Sequence, residues 1–280
     1  LSFGHPGNNE TVNIKELGNR LFFQLIIWNK KTARSYIVEY IASGAQADIY
    51  KDGFKAIKLF KYNINKEEIE YEINLQKMAY DKGLPVPKIF GIIEIENKFG
   101  IEMEYLEGKT IGNIIMHDIS KFEEYLLKSI EIQNGIHKIE TKNIVLMKDR
   151  LKYFILKAKL INENDRERII NELENKVFDN KLCHGDFHFM NLIQTLDGIK
   201  IIDWICACSG SPEADIYRTY LLYLLSNKEL AGIYLDTYCK IMQLDKNNIL
   251  SWASIIAGAR LGEYIKDENE KNILLKIIAN

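Results

Sequence analysis

Hydrophobic and polar positions divide the chain into two parts of different period. An apolar alternation begins at residues 36–40, and residues 49–51 and 54–60 flank Asp52-Gly53, the residue pair of a type I′ hairpin turn. Residues 88–96 and 99–105 flank Asn97-Lys98 and predict a second hairpin. Between the hairpins lies one helix. Asn65 followed by Glu68 is an N-cap with its capping-box partner, and Ile69, Ile73, Gln76 and Tyr80 follow at helical spacing. Gly83-Leu84-Pro85-Val86-Pro87 ends it. After Gly108 the period becomes helical. Ser120-Lys121-Phe122-Glu123 reads as a capping box opening a helix to about His137, and residues 146–160, 165–177, 214–226, 230–242 and 249–265 read as further helices. Only residues 192–202 interrupt this part with strand character. The pattern predicts a small β-rich lobe followed by a larger helical one, an α+β chain without internal repeats.

Composition narrows the function classes. A length of 280 residues allows two lobes with a sizeable core. Lys and Arg number 37 against 39 Asp and Glu, so the chain carries no electrostatic footprint for nucleic acid or an anionic membrane. The richest apolar runs, residues 21–28 and 221–225, fall short of the roughly 18 residues that span a bilayer. The four cysteines, Cys183, Cys206, Cys208 and Cys239, do not form a disulfide framework, and Cys206-Ala207-Cys208 has no second pair at zinc-ligand spacing. No basic region followed by an apolar stretch marks a signal peptide, and the expected location is cytoplasmic. Residues 1–9, rich in Gly, Pro and Asn, are set apart from the folded lobes.

The chemistry concentrates in Cys183-His184-Gly185-Asp186-Phe187-His188-Phe189-Met190-Asn191 and in Ile201-Ile202-Asp203-Trp204. Two short apolar strands flank a turn near Asp197-Gly198. Asn191 stands six residues before Asp197 and Asp203 six after it, so an antiparallel hairpin brings both to its open end, with Cα atoms about 5 Å apart if they pair directly. An amide carbonyl and a carboxylate converging there suit a hard cation such as Mg²⁺. Asp186, on the loop entering the same end, adds the second carboxylate that phosphoryl transfer needs.

His184-Gly185-Asp186 with Asn191, followed by Ile202-Asp203-Trp204, resembles the catalytic-loop and metal-binding motifs of protein kinases. The form found here resembles the aminoglycoside phosphotransferase and choline kinase family of small-molecule kinases, over nearly the whole chain from Tyr36. The resemblance implies a protein-kinase-like two-lobed fold, with an N-terminal nucleotide-binding lobe over residues 1–104, a hinge at 105–108 and a helical catalytic lobe over 109–280. It implies that Asp186 is the catalytic base and that Asn191 and Asp203 hold Mg²⁺ on the ATP phosphates. Lys58, in Ala56-Ile57-Lys58, would grip those phosphates, paired with Glu72 or, one turn earlier, Glu68. The loop at Ser43-Gly44 would approach the phosphates by its backbone, although only Gly44 survives of the family's glycines. Met103, Glu104 and Leu106 fall where adenine would be bound.

The interval from Asp203 to Asp215 is too short for a protein kinase's activation segment and lacks Ala-Pro-Glu, while residues 108–184 form a long helical insert. Both favour a small diffusible acceptor over a peptide. Asp215 resembles the aspartate that braces the catalytic loop. His137 and His188 fit recurring positions but also read as packed histidines, and Asp267, Glu268 and Glu270 lie among lysines as a mixed helix face. The expected activity is ATP- and Mg²⁺-dependent phosphorylation of a small-molecule hydroxyl. The rivals are an atypical protein kinase or ATPase within a complex and a nucleotide-binding pseudokinase, whose usual loss of Lys58, Asp186, Asn191 or Asp203 is not seen.

Overall fold

The computed structural model describes residues 24–29, 34–44, 46–61, 64–95 and 97–279, with side chains from residue 38 onward; residues 1–9 and the start of the apolar run at 21–28, residues 21–23, lie outside that description. The described chain forms two compact units. The first runs to Gly108 and includes Thr195–Ile201; the second comprises Lys109–Gln194 and Ile202 onward.

The first unit is built on an antiparallel sheet. β1 (Gln24–Asn29), β2 (Arg34–Ser43), β3 (Ala47–Asp52) and β4 (Lys55–Phe60) follow one another, and after helix α1 (Lys66–Asp81) come β5 (Ile89–Ile95) and β6 (Lys98–Glu104). The order β1-β2-β3-β4-β6-β5 places β4 inside the sheet, between β3 and β6. Val38, Ile57, Leu59, Ile93 and Ile95 form one buried cluster. Ala47, Phe60 and Ile101 form another with Ile69 and Ile73 of α1. α1 starts as its sequence requires: Asn65 Oδ1 accepts the Glu68 N–H at 2.8 Å, and Glu68 Oε1 accepts from Asn65 Nδ2 at 3.2 Å. It ends before Gly83, which takes φ +81°.

Both hairpins differ from expectation by one residue. Asp52 pairs with Lys55, so the turn is Gly53-Phe54 and not Asp52-Gly53. Of these two only Gly53 has positive φ, because a type I′ turn would also force the bulky Phe54 there. In the second, Lys98 pairs with Ile95 and belongs to the strand, leaving Asn97 with φ 62° in the turn.

The second unit is mainly helical. β7 (Lys109–Thr110) leads into α2 (Ile111–His117), then α3 (Phe122–His137), α4 (Met147–Lys157) and α5 (Glu163–Glu174). β8 (Lys181–Cys183) precedes the His184–Asn191 loop. In chain order β9 (Leu192–Thr195) and β10 (Gly198–Ile201), the latter part of the first unit, follow, then β11 (Cys208–Gly210), α6 (Pro212–Ser226), α7 (Lys228–Met242), α8 (Lys246–Leu250), α9 (Ala253–Gly262) and α10 (Glu268–Ala279). The expected capping box at Ser120 does not form. Asp118 instead accepts both the Ser120 N–H and its hydroxyl and caps a 3-10 turn that runs into α3. The stretch 249–265 is two helices, because the chain breaks at Ser251-Trp252 to bury the indole edge-on to Phe178. β8 and β11 pair antiparallel, Cys183 opposite Cys208, and at three residues each show no readable period. Among the described residues no helix is long and apolar enough to cross a membrane.

α9 packs on α4 and α10. Gly262 sits tightly against α4, where an added Cβ would lie 1.9 Å from the Phe154 carbonyl oxygen. Gly262→Ala should therefore force the helices apart and lower stability by about 1–3 kcal/mol, read from the urea midpoint. An unchanged midpoint would contradict this packing.

Candidate active site

In the first unit, the placement of β4 carries Lys58 into the sheet interior, opposite Ile49 on one side and Ile101 on the other. Lys58 Nζ lies 2.6 Å from Glu72 Oε1, with side-chain exposures of only 14% and 6%. Glu72 forms this pair because Glu68 is engaged at the α1 N-cap. Gly100 of β6 permits the strand contact here, since a Cβ would stand 2.9 Å from the Lys58 carbonyl oxygen. The β2–β3 loop is exposed. Gly44 N–H donates to the Ala47 carbonyl at 2.8 Å and Ser43 Oγ to Asp48 Oδ1 at 2.7 Å. Lys61 holds it from behind, donating to Ser43 Oγ and to the Gly44 carbonyl, each at 2.6 Å. Sequence reasoning missed Lys61, although a second lysine three residues past Lys58 was its signal.

Met103 sits within β6, paired with Ala56 and Ile89. The Glu104 N–H donates to the Lys88 carbonyl at 2.8 Å and the Tyr105 N–H to the Phe54 carbonyl at 3.0 Å. These two donors are occupied by protein partners, which narrows the expected adenine contacts to the Glu104 carbonyl and the Leu106 backbone. The Glu104 carboxylate is not simply solvated, for it accepts the Lys88 N–H at 3.0 Å.

In the second unit, the His184–Asn191 loop is fastened to its surroundings at nearly every residue. His184 is fully buried. Its Nε2 donates to the Ile202 carbonyl at 3.1 Å and its Nδ1 accepts the Asp186 N–H at 3.3 Å. This pair of contacts selects the neutral tautomer with the proton on Nε2. Burial pushes its pKa down, although Asp215, Asp186 and Asp203 pull it upward. Asn191 Nδ2 donates to the Asp186 carbonyl at 2.8 Å and to Asp186 Oδ2 at 3.0 Å. With the nitrogen engaged, the Asn191 oxygen is the atom left for a cation. Burial opposes ionisation of Asp186. The hydrogen bond and charge of His188, with the charge of Arg218, outweigh it and hold the carboxyl well below the usual range. His188 Nε2 lies 3.5 Å from Asp186 Oδ2, so His188 is a neighbour of this carboxylate and not a packing residue.

Asp203 follows β10 with φ 65° and ψ 67°, the left-handed region. A residue with a Cβ is held there only when its surroundings require it, and such positions gather at functional sites. The Ile202 N–H donates to the Asn191 carbonyl at 3.0 Å, so Asn191 faces Ile202 and Asp203 lies one residue beyond. An amide oxygen and a carboxylate are hard donors, and this set fits Mg²⁺.

The loop is braced from α6. Asp215 is 1% exposed, and its Oδ1 accepts the Gly185 N–H at 2.7 Å. Its Oδ2 accepts from His137 Nε2 at 2.8 Å and from the His184 N–H at 3.4 Å. One turn along the helix, Arg218 Nε donates to the Gly185 carbonyl at 3.3 Å and its terminal nitrogen pairs with Glu263 at 2.9 Å. Gly185 has φ +78°, and a Cβ on it would lie 2.3 Å from the Cys206 carbonyl oxygen. No other residue fits. Sequence reasoning missed Arg218, yet its i, i+3 spacing from Asp215 put both on one helix face.

The phosphotransferase enzyme family matches residues 38–246 of the chain. The chain belongs to that family. Solved structures agree in fold. A thermostable mutant of the aminoglycoside phosphotransferase APH(4)-Ia, in ternary complex with AMP-PNP and hygromycin B, is similar with a TM-score of 0.67 and 12% identity, covering 89% of this chain and 96% of that one. The choline kinase LicA from Streptococcus pneumoniae gives 0.59 at 19% identity, over 86% and 92%. The amicoumacin kinase hAmiN in complex with AMP-PNP, Ca²⁺ and Ami gives 0.59 at 12% identity, over 91% and 89%. No curated protein matches the sequence.

This phosphotransferase also has a partly open pocket of about 50 Å³ within its second unit, bordered by α4, the Cys206–Cys208 segment, the start of α6 and α9. Gly185, next to Asp186, forms part of its wall. Burial pushes the Cys206 thiol in that wall up to about 11 despite the opposing charges of Arg150 and Arg218, so it stays protonated and is no nucleophile at neutral pH.

Burial opposes the charge of Asp215, but the His137 hydrogen bond and charge, the Gly185 N–H and His184 outweigh it, so its folded-state pKa is lowered. A lowered pKa contributes stability that is present above the unfolded value of about 4 and is lost as pH falls toward the folded value. Urea midpoints measured from neutral pH downward should fall less steeply below about pH 4 in Asp215→Asn than in the unsubstituted chain. Parallel curves would remove Asp215 from the acid response.

Proposed function

We propose that the chain transfers the γ-phosphate of ATP to a hydroxyl of a small molecule, with Asp186 as the catalytic base. The observation that carries this reading is the Asn191 amide bonded to the Asp186 carboxylate at 3.0 Å. One side chain orients the expected base and leaves its own oxygen for the cation. In this reading residues up to 104 bind the nucleotide, 105–108 form the hinge, and the chain from 109 carries catalysis and the acceptor.

Lys58, steadied by Glu72, meets the α- and β-phosphates, with Ser43 and Gly44 covering them and Met103, Glu104 and Leu106 beside adenine. Lys61 stiffens the Ser43-Gly44 loop. Asn191 and Asp203 hold Mg²⁺. When bound, the cation neutralises charge on the phosphates. Asp186, kept ionised, accepts a hydrogen bond from the acceptor hydroxyl, aims its oxygen at the phosphorus and takes the proton as the new bond forms. Neutral His184 fixes the loop without adding charge beside that carboxylate. Catalysis is then mostly positioning, as a loose phosphoryl-transfer transition state requires. The described relatives act on chemically different acceptors, so family membership leaves the acceptor to this chain's own pocket.

The test incubates the protein with Mg·ATP and a panel of aminoglycosides, choline, ethanolamine, homoserine, sugars and nucleosides, and follows phosphorylated product. Product should form with at least one acceptor, and Asp186→Asn should lower kcat by about 10²–10⁴-fold with little change in ATP affinity. Asp203→Asn should raise the Mg²⁺ concentration needed for half-maximal rate. Mg·ATP binding without turnover on any acceptor would assign the chain to nucleotide-binding modules instead.

A further inference from the structure

The pocket beside Gly185 has a distinctive charge arrangement. Four charged residues line it: Arg150, Asp215, Arg218 and Glu263. Three are already matched. Asp215 receives two backbone N–H groups and His137, while Glu263 receives Arg218 and Arg260. Arg150 is different. Its contacts are a 3.5 Å approach to the Ile205 carbonyl, a 3.3 Å approach to Cys206 Sγ, and the Phe154 ring 5.7 Å from its guanidinium carbon. No carboxylate of the described residues lies within ion-pair distance of it. Neither neighbour is a strong acceptor at these distances, so most of a five-donor planar fork is left unmatched in a half-buried wall. The rest of that wall is apolar, including Leu151, Phe154 and Ile256.

We propose that Arg150 makes this pocket a receptor for the anionic group of the acceptor, so that the phosphorylated molecule is a hydroxylated carboxylic acid with an apolar body. A guanidinium held against an aromatic ring presents its donors to a carboxylate in bidentate geometry, and burial strengthens the pair. A cationic acceptor would find no comparable partner, since Asp215 and Glu263 are each held by two or more donors. The distance to the chemistry is short in sequence: Gly185 borders the pocket and Asp186 follows it. The proposal rests on the phosphotransferase reading for its hydroxyl, but the anion site itself can be tested without nucleotide or turnover.

The experiment titrates the full chain with benzoate, phenylacetate and pantothenate, and with their neutral counterparts benzamide, phenylacetamide and panthenol. Binding is followed on the arginine Nε–H NMR signals, that of Arg150 being identified by its loss in Arg150→Gln. The carboxylates should move the Arg150 signal and bind about tenfold more tightly than the neutral partners. Arg150→Gln should abolish the difference, and Arg150→Lys should restore part of it, as a merely structural role would not. Equal binding of the paired compounds, a preference that survives in Arg150→Gln, or an Arg150 signal unmoved by all three carboxylates at millimolar concentration would overturn the proposal. The phosphotransferase reading fails separately, by absence of Asp186-dependent product with hydroxy acids as well as with the cationic and neutral acceptors.

Discussion

The second unit depends on the clamp that α6 places on one glycine. Asp215 takes the N–H of Gly185 and Arg218 takes its carbonyl, so both polar groups of a half-buried backbone unit are satisfied by a single helix face. The left-handed conformation of Gly185 and its approach to Cys206 leave no room for a side chain, and that contact fixes where Asp186 stands. The clamp is itself supported. Gln133, His137, Thr219, Tyr234 and Tyr238 complete a buried network around Asp215, and Glu263 links Arg218 to Arg260. Such a network is costly when any member is removed, because the remaining groups lose their partners in a low-dielectric interior.

The same arrangement sets the electrostatics of the site. Asp186 keeps its charge in spite of burial because His188 and Arg218 oppose the desolvation cost. His184 is neutral by tautomer and burial, so it braces the loop while adding little competing charge. The cationic residues therefore divide between support and recognition. Arg218 and Arg260 meet carboxylates within the unit, whereas among the described residues Arg150 meets only a carbonyl, a thiol and a ring. The near-balance of charge over the whole chain conceals this local asymmetry.

Much of the architecture was readable in the chain itself. The α1 cap at Asn65, the change from strand to helical period near residue 108, and the His184-Gly185-Asp186, Asn191 and Asp203 pattern all rest on local chemistry or short spacing. The errors share a cause. Each hairpin turn, including the one before Asp203, closed one residue from its expected centre, because the residue tolerant of positive φ and the register of the flanking strands jointly choose the turn. At Ser120 a neighbouring aspartate outcompeted the expected cap. Trp252 broke a helical period because burying its ring outweighed continuing the helix.

The amino-acid sequence by itself determined the order and period of the elements and the residue types available for phosphoryl transfer, since both follow from interactions among residues close along the chain. Tertiary structure alone decided which glutamate meets Lys58, which face of α6 holds Gly185, and that Arg150, among the described residues, is left without a carboxylate beside the catalytic loop. Those outcomes depend on groups 14, 30 and 56 positions apart coming within hydrogen-bonding distance, and no local preference encodes such meetings. They arise when the burial of Leu and Ile side chains brings distant polar groups together and each must find a partner or remain open to a ligand.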